Sequence, residues 1–216
     1  MSFTATKTVS DIATDVKRTF GDEAGVQVND TDIARWINSA QIEIVSKNQI
    51  LVADATTPSI ASQYEYDVSG LNIQNIHSVH YNGKKLLGVS FVDFEDKYLS
   101  DDPNRSQSGV PEVWARWGNA LTLYPTPSSS GDNIKIYFFA VPATVTAPSD
   151  KLSLPDNYYP RILEYVLAQA YEMDENFAAS DNKLNRFDSN LVGMMGDENA
   201  PKQDTYPVIT VRPEDM

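Results

Sequence analysis

A few stretches of this chain bring together side chains that could do chemistry. Ile76-His77-Ser78-Val79-His80 holds both histidines of the sequence. Two imidazoles three residues apart share a face on a helix and could ligate one metal ion. The surrounding residues read as a strand, where positions three apart point to opposite faces, so the expectation is two ordinary strand histidines. Asp101-Asp102-Pro103-Asn104-Arg105-Ser106 offers oxygen ligands at a spacing that could suit Ca²⁺. It lacks the turn glycine and the closing bidentate acid of an EF-hand loop and reads as a polar loop. Asp93, Glu95 and Asp96 flank Phe94, and with Glu112 they supply carboxylates that a glycosidase or wall hydrolase could use in pairs. In a chain of net charge −13 such acids ordinarily form a solvated helix face. There is no GxSxG, P-loop or GxGxxG pattern, and nothing marks a serine partner for either histidine. The absence of cysteine excludes disulfides, cysteine-based zinc sites and thiol catalysis. The expectation is a protein without an enzyme's active site, a metal or a cofactor.

The densest set of ionisable groups is Leu154 to Asn176, where Tyr158, Tyr159, Tyr165 and Tyr171 sit beside Glu164, Glu172, Asp174 and Glu175. A helical wheel separates this set. Ile162, Leu163, Val166, Ala170, Met173 and Phe177 fall within about 100° and form a core face. Glu164, Ala168, Tyr171 and Glu175 lie opposite. A tyrosine over a small alanine between glutamates suits a protein contact, because tyrosine is enriched at interfaces. The expectation is that these four residues meet a neighbouring subunit.

The elements that would position these residues follow from periodicity. Val9, Ile12, Ala13, Val16 and Phe20 have helical spacing, with Ser10 or Asp11 as N-cap and Gly21 as the stop. Asn29 or Asp30 caps a second helix whose apolar face includes Ile33, Trp36, Ile37, Ala40, Ile44 and Val45. Thr56-Thr57-Pro58-Ser59 reads as a linker. From there to about Pro148 the chain is rich in strands, with Asn82-Gly83 a strong hairpin turn and Gly118-Asn119 a second. A short helix over Phe91 to Leu99 interrupts them. Helical periodicity returns at Leu152, with Pro160 in the first turn, and a weaker helix spans Asp181 to Met195. Helices, then strands, then helices indicate an α+β fold. The layout predicts a helical bundle from residues 1–55 and 151–196, an inserted antiparallel β-domain over 56–150, and an extended C-terminal arm over 197–216. Trp36, Ile37, Ile162, Leu163, Val166 and Met173 are the expected bundle core. Within the arm, Tyr206, Val208, Ile209 and Val211 belong to an apolar, β-prone run that needs a sheet edge to pair with.

With 41% hydrophobic and 10% aromatic residues, 216 residues can bury a substantial core. No apolar run reaches the roughly 20 residues that span a bilayer, and the N-terminus has no signal-peptide character, so the expectation is a soluble protein made in a cytoplasm. Thirty acids against 17 basic residues argue against a protein that grips DNA through phosphate contacts. They are compatible with one that surrounds a mobile duplex.

Several of these features together resemble a known family. Leu123-Tyr124-Pro125-Thr126-Pro127 ends one strand, and the strand Ile134 to Pro142 follows. Asp150, Leu154-Pro155 and Tyr158 lead into a helix carrying Tyr171-Glu172, and Trp36 to Gln49 resembles the family's second helix. The chain is similar over most of residues 8–195 to the head-to-tail adaptor, or connector, proteins of tailed bacteriophages, especially the short-tailed ones. The resemblance implies a non-enzymatic virion protein in the neck between capsid and tail. It implies a ring of twelve subunits that binds the portal protein and tail or nozzle proteins and extends the channel for double-stranded DNA without reading its sequence. No membrane partner is implied. An alternative is a carbohydrate- or surface-binding module using Trp114 and Trp117, although three-residue spacing lets only one of them face a ligand from a strand.

Overall fold

A computed structural model describes residues 5–100, 102 and 104–199, with side chains described as far as Val192. The fold is α+β, with helices at both ends of the chain and strands between them. Helix α1 (Val9–Phe20) begins at a capping box. Thr8, not Ser10 or Asp11, is the N-cap: its hydroxyl accepts from the Asp11 amide while the Asp11 carboxylate accepts from the Thr8 amide. Gly21 closes the helix with φ 86°, a left-handed conformation that glycine adopts without Cβ strain. Asn29 caps α2 (Asp30–Asn48). The loop between the helices is organised by Asp22, whose carboxylate accepts the backbone N–H groups of Val26, Gln27 and Val28. Those hydrogen bonds, led by the one from Val28, hold the carboxyl below its usual range.

Among the described residues ten strands follow, with short turns of helix among them: β1 (Val52–Pro58), β2 (Glu65–Asp67), β3 (Ile73–Tyr81), β4 (Lys84–Lys85), β5 (Leu87–Gly88), β6 (Ser108–Gly109), β7 (Val113–Trp117), β8 (Ala120–Tyr124), β9 (Thr126–Pro127) and β10 (Asn133–Ala140). They form sheets of order β1-β10-β3-β4, β2-β8-β7-β5 and β6-β9. The expected linker at Thr56–Ser59 is corrected. Its first three residues complete β1, which pairs antiparallel with β10 from Val52↔Phe139 to Pro58↔Asn133. Asn82 and Gly83 both have positive φ, 48° and 83°, as a tight two-residue hairpin turn requires. Helix α3 (Phe91–Phe94) continues as a π turn through Leu99.

Helices α4 (Tyr159–Met173) and α5 (Phe177–Asn199) complete the bundle. Its core draws on Ile12, Val16, Ile33, Ile37 and Ile44 from the first helix pair and on Ile162, Val166, Phe187 and Leu191 from the second. Separate apolar clusters fill the sheets. One is built around Val79, Leu121, Leu123, Ile134 and Ile136. The other is built around Phe94, Val113 and Ala115. The return from β10 to α4 is tied down by side chains of α2. Asn38 holds Val145 with both amide atoms, donating to its carbonyl at 2.8 Å and accepting from its N–H at 2.9 Å. Gln41 accepts from the Ser153 amide at 2.7 Å. Among the described residues no helix is long and apolar enough to cross a membrane.

Candidate assembly surfaces

Helix α4 is packed on more than one side, and the second side is internal to the chain. Ala168 is fully buried. Helix α5 covers this face: Tyr165 meets Phe187 edge-on at 5.2 Å, and Asn190 reaches Glu164. Glu164 also pairs with Arg161 at 3.2 Å. Ala168 is therefore a small residue that lets α5 approach closely, and its expected role at a neighbouring subunit is corrected. Tyr171 packs partly on the bundle, with its ring 5.4 Å from Phe20 at the end of α1. Glu175 is exposed in the α4–α5 turn, with φ 57°.

The other expected core residues divide. Trp36, Ile37, Ile162 and Val166 are buried, and Leu163 is half-buried against the core. Met173 is 44% exposed, which corrects its assignment to the core, and Phe177 is 61% exposed. Both lie beside the α4–α5 turn. Tyr206, Val208, Ile209 and Val211 lie outside the described residues.

The candidate chemical sites dissolve into structural contacts. His77 and His80 do not point to opposite faces. Tyr137 pairs with Ser78 and Phe138 with Ile76, so His77 is the extra residue of a β-bulge. Both imidazoles then meet residues of one face of β10: His77 approaches Phe139 at 6.1 Å and His80 approaches Tyr137 at 5.2 Å. Among the described residues, no group of three or more His, Asp or Glu side chains is placed to hold a metal ion. Asp102 accepts the amides of Ser106 and Gln107 and the Ser106 hydroxyl, so it closes its own loop. Ser90 caps α3, its hydroxyl accepting from the Asp93 amide and donating to the Asp93 carboxylate, which lies 3.5 Å from Lys97. The Ser90 hydroxyl and the Lys97 charge hold the Asp93 carboxyl below the usual range, which is unfavourable for a general acid. Glu95 and Glu112 are exposed.

Three surfaces are available for assembly. The first is an open groove of about 1090 Å³ between α1 and α2, floored by Val9, Ala13, Ala34 and Val145, with Ile42 53% exposed along it. Its rim carries the Lys17–Asp30 pair at 2.6 Å and Arg35, which pairs with Asp32 at 2.9 Å. The second is an aromatic patch. Trp117 is 66% exposed and tilts over Phe91 at 4.8 Å. Trp114 points the other way and lies on Gly88, where an added Cβ would come within 2.8 Å of the indole. The third is the outer edge of β1, which no other strand among the described residues pairs. Beside it a hollow of about 280 Å³ is lined by Ala55, Thr57, Val68, Leu71 and Ile136 among others.

These are packing, capping and contact features. The profile of the SU10 adaptor protein family matches residues 7–211. The chain belongs to that family. No curated protein matches it. Membership makes this chain a phage adaptor protein, of a structural class and not an enzyme class. The match extends past α5 into the C-terminal segment that holds Tyr206 to Val211.

Proposed function

We propose that this adaptor protein assembles as a twelve-subunit ring in the neck of a short-tailed phage, with the portal protein on one side and tail or nozzle proteins on the other. The observation that carries this reading is the family match over residues 7–211. The charge balance supports the channel role. A net charge of −13 provides a wall that repels phosphate, so double-stranded DNA can slide without being held.

In this reading the helices within residues 9–48 and 159–199 form the bundle, the strands between them the inserted β-domain, and 200–216 an arm. Tyr171 and Glu175 still serve the lateral contact, now together with exposed Met173 and Phe177 at the α4–α5 corner. Exposed apolar side chains rimmed by acids have the composition of a contact patch. Tyr206, Val208, Ile209 and Val211 dock on an adjacent subunit or on the portal. The test is imaging of the purified protein mixed with its cognate portal. Twelvefold rings stacked on the portal are expected. Protein that stays monomeric beside a bare portal, together with infectious particles lacking the protein, would sink the reading.

A further inference from the structure

We propose that the α4–α5 corner of one copy seats in the groove between α1 and α2 of the next copy. The proposal rests on the ring reading for the presence of that second copy. It names the surface that receives the corner.

The groove is large enough for an element of structure. Its volume of about 1090 Å³ is at the top of the range that holds a whole small ligand. On α2 the exposed residues Thr31, Arg35, Ser39 and Ile42 line it at intervals of three or four, so one stripe of the helix faces the opening. Ala13 and Ala34 keep the floor low, and Ile42 is apolar surface that the described residues leave 53% exposed.

The charge along the groove runs against that of the chain. Lys17, Arg18 and Arg35 outnumber Glu23 and Asp30 in the lining, within a chain of net charge −13. Arg18 is exposed and has no acidic partner among the described residues. An acidic element is therefore repelled less here than by the chain as a whole.

The corner has the complementary character. All side chains of residues 172–178 are exposed. Met173 ends α4 and Phe177 begins α5, and they are 44% and 61% exposed. Glu172, Asp174 and Glu175 lie between and beside them, and none has a cationic partner among the described residues. The Glu172 carboxylate meets only the Gln169 amide, at 3.4 Å. An apolar tip ringed by carboxylates fits an apolar floor with arginines at its rim.

The two surfaces also face different ways. Asp15 of α1 accepts from the Tyr159 hydroxyl of α4 at 2.6 Å, so α4 lies on that side of α1. Lys17 is two residues further on, about 160° around the helix, and lines the groove. The end of α4 is thus carried on the far side of α1 from its own groove. A contact between two different patches is heterologous: each copy gives one and receives the other, and repetition closes a ring when the rotation between copies divides a full turn.

The chain has no cysteine, so the contact can be trapped in full-length protein. Phe177→Cys protein is mixed in turn with Thr14→Cys, Thr31→Cys and Ser39→Cys protein, assembled with the cognate portal and oxidised. One groove position is expected to give a disulfide-linked dimer. A chain carrying that cysteine together with Phe177→Cys should give a ladder of linked oligomers, as only a heterologous contact does. In parallel, Phe177→Asp should raise the protein concentration at half-assembly at least tenfold. The Tm of the monomer should not fall, because aspartate is favourable in the first turn of a helix. The proposal is overturned by no link, by a link formed equally well with exposed Ser100→Cys, by products that stop at the dimer, by a disulfide that closes only within one chain, or by an unchanged half-assembly concentration. Micrographs separate the two readings. Twelvefold rings without the link sink the groove contact alone. If wild-type protein forms no rings, the ring reading fails, and the cysteine ladder at high protein concentration without portal decides the groove contact.

Discussion

Ala168→Leu distinguishes the two roles open to the second face of α4. The residue has no exposed surface, and α5 lies over it, held on either side by the Tyr165–Phe187 and Glu164–Asn190 contacts. Leucine adds three carbons where no space is available. Overpacking of this kind costs about 1–3 kcal/mol. For a chain of this size each kcal/mol shifts Tm by about 2–4 °C, so a fall of about 2–12 °C is expected. Urea unfolding followed at 222 nm, at concentrations below assembly, measures the loss in the isolated chain. Ala178→Leu is the control: Ala178 is exposed in the first turn of α5, and its change should stay within about 0.5 kcal/mol. A residue that met a neighbouring subunit would behave in the opposite way, leaving the monomer unchanged and altering only the ring. An unchanged urea midpoint and slope for Ala168→Leu would refute the internal packing of this face.

Asn38→Ala should cost about 1–3 kcal/mol, because it strips the buried Val145 peptide groups of both side-chain partners; the loss is read from the same urea transition. Gly88→Ala should displace the Trp114 indole, since the new Cβ would sit 2.8 Å from it, and should cost about 1–3 kcal/mol with a red shift in tryptophan emission. Acid should destabilise the fold through its capping carboxylates. Asp156, which accepts from the Thr6 hydroxyl and amide, and Asp150, which accepts from the Thr146 and Ala147 amides, are both held below the ordinary range near 3.8. Depressed folded values mean that the stabilisation is present above pH 4 and is lost as pH falls through those values. The urea midpoint should therefore stay level between pH 7 and about 5 and drop below about 4, and Asp156→Asn should flatten that drop. At the alkaline end, burial and the hydrogen bond to Asp15 push the Tyr159 phenol well above its usual value of 10. Stability from that group is complete below pH 10 and declines above it, a decline that Tyr159→Phe should remove.

Much of the fold was legible because local signals agreed with one another. Asn82-Gly83 demanded positive φ at both residues, and Gly21 marked a helix stop; the chain has both features. Other features depend on information a local pattern does not carry. Thr56-Thr57-Pro58 looks like a linker until a partner strand is supplied, and β10 supplies it from some 75 residues away. The bulge at His77 adds one residue to one strand, which moves both histidines to the same face without altering the apolar alternation on either side.

The α4 face shows the same limit at the level of function. A wheel identifies a helix with two packed sides but carries no label for who packs there. A small residue flanked by tyrosine and glutamate serves equally well under a helix of the same chain or under a neighbour. The deciding quantity is whether another amphipathic helix follows within a short turn, and α5 begins four residues after α4 ends. Once α5 occupies Ala168, the surfaces left for a neighbour are those no described element covers: the α4–α5 corner, the α1–α2 groove, the aromatic patch at Trp117 and the β1 edge. The corner and the groove present side chains and tolerate small shifts in fit. The edge presents backbone hydrogen bonds, which fix a partner's register residue by residue. In the proposed ring a contact of that kind would hold each copy at the same height, and of the surfaces that no described element covers β1 is the one that offers it.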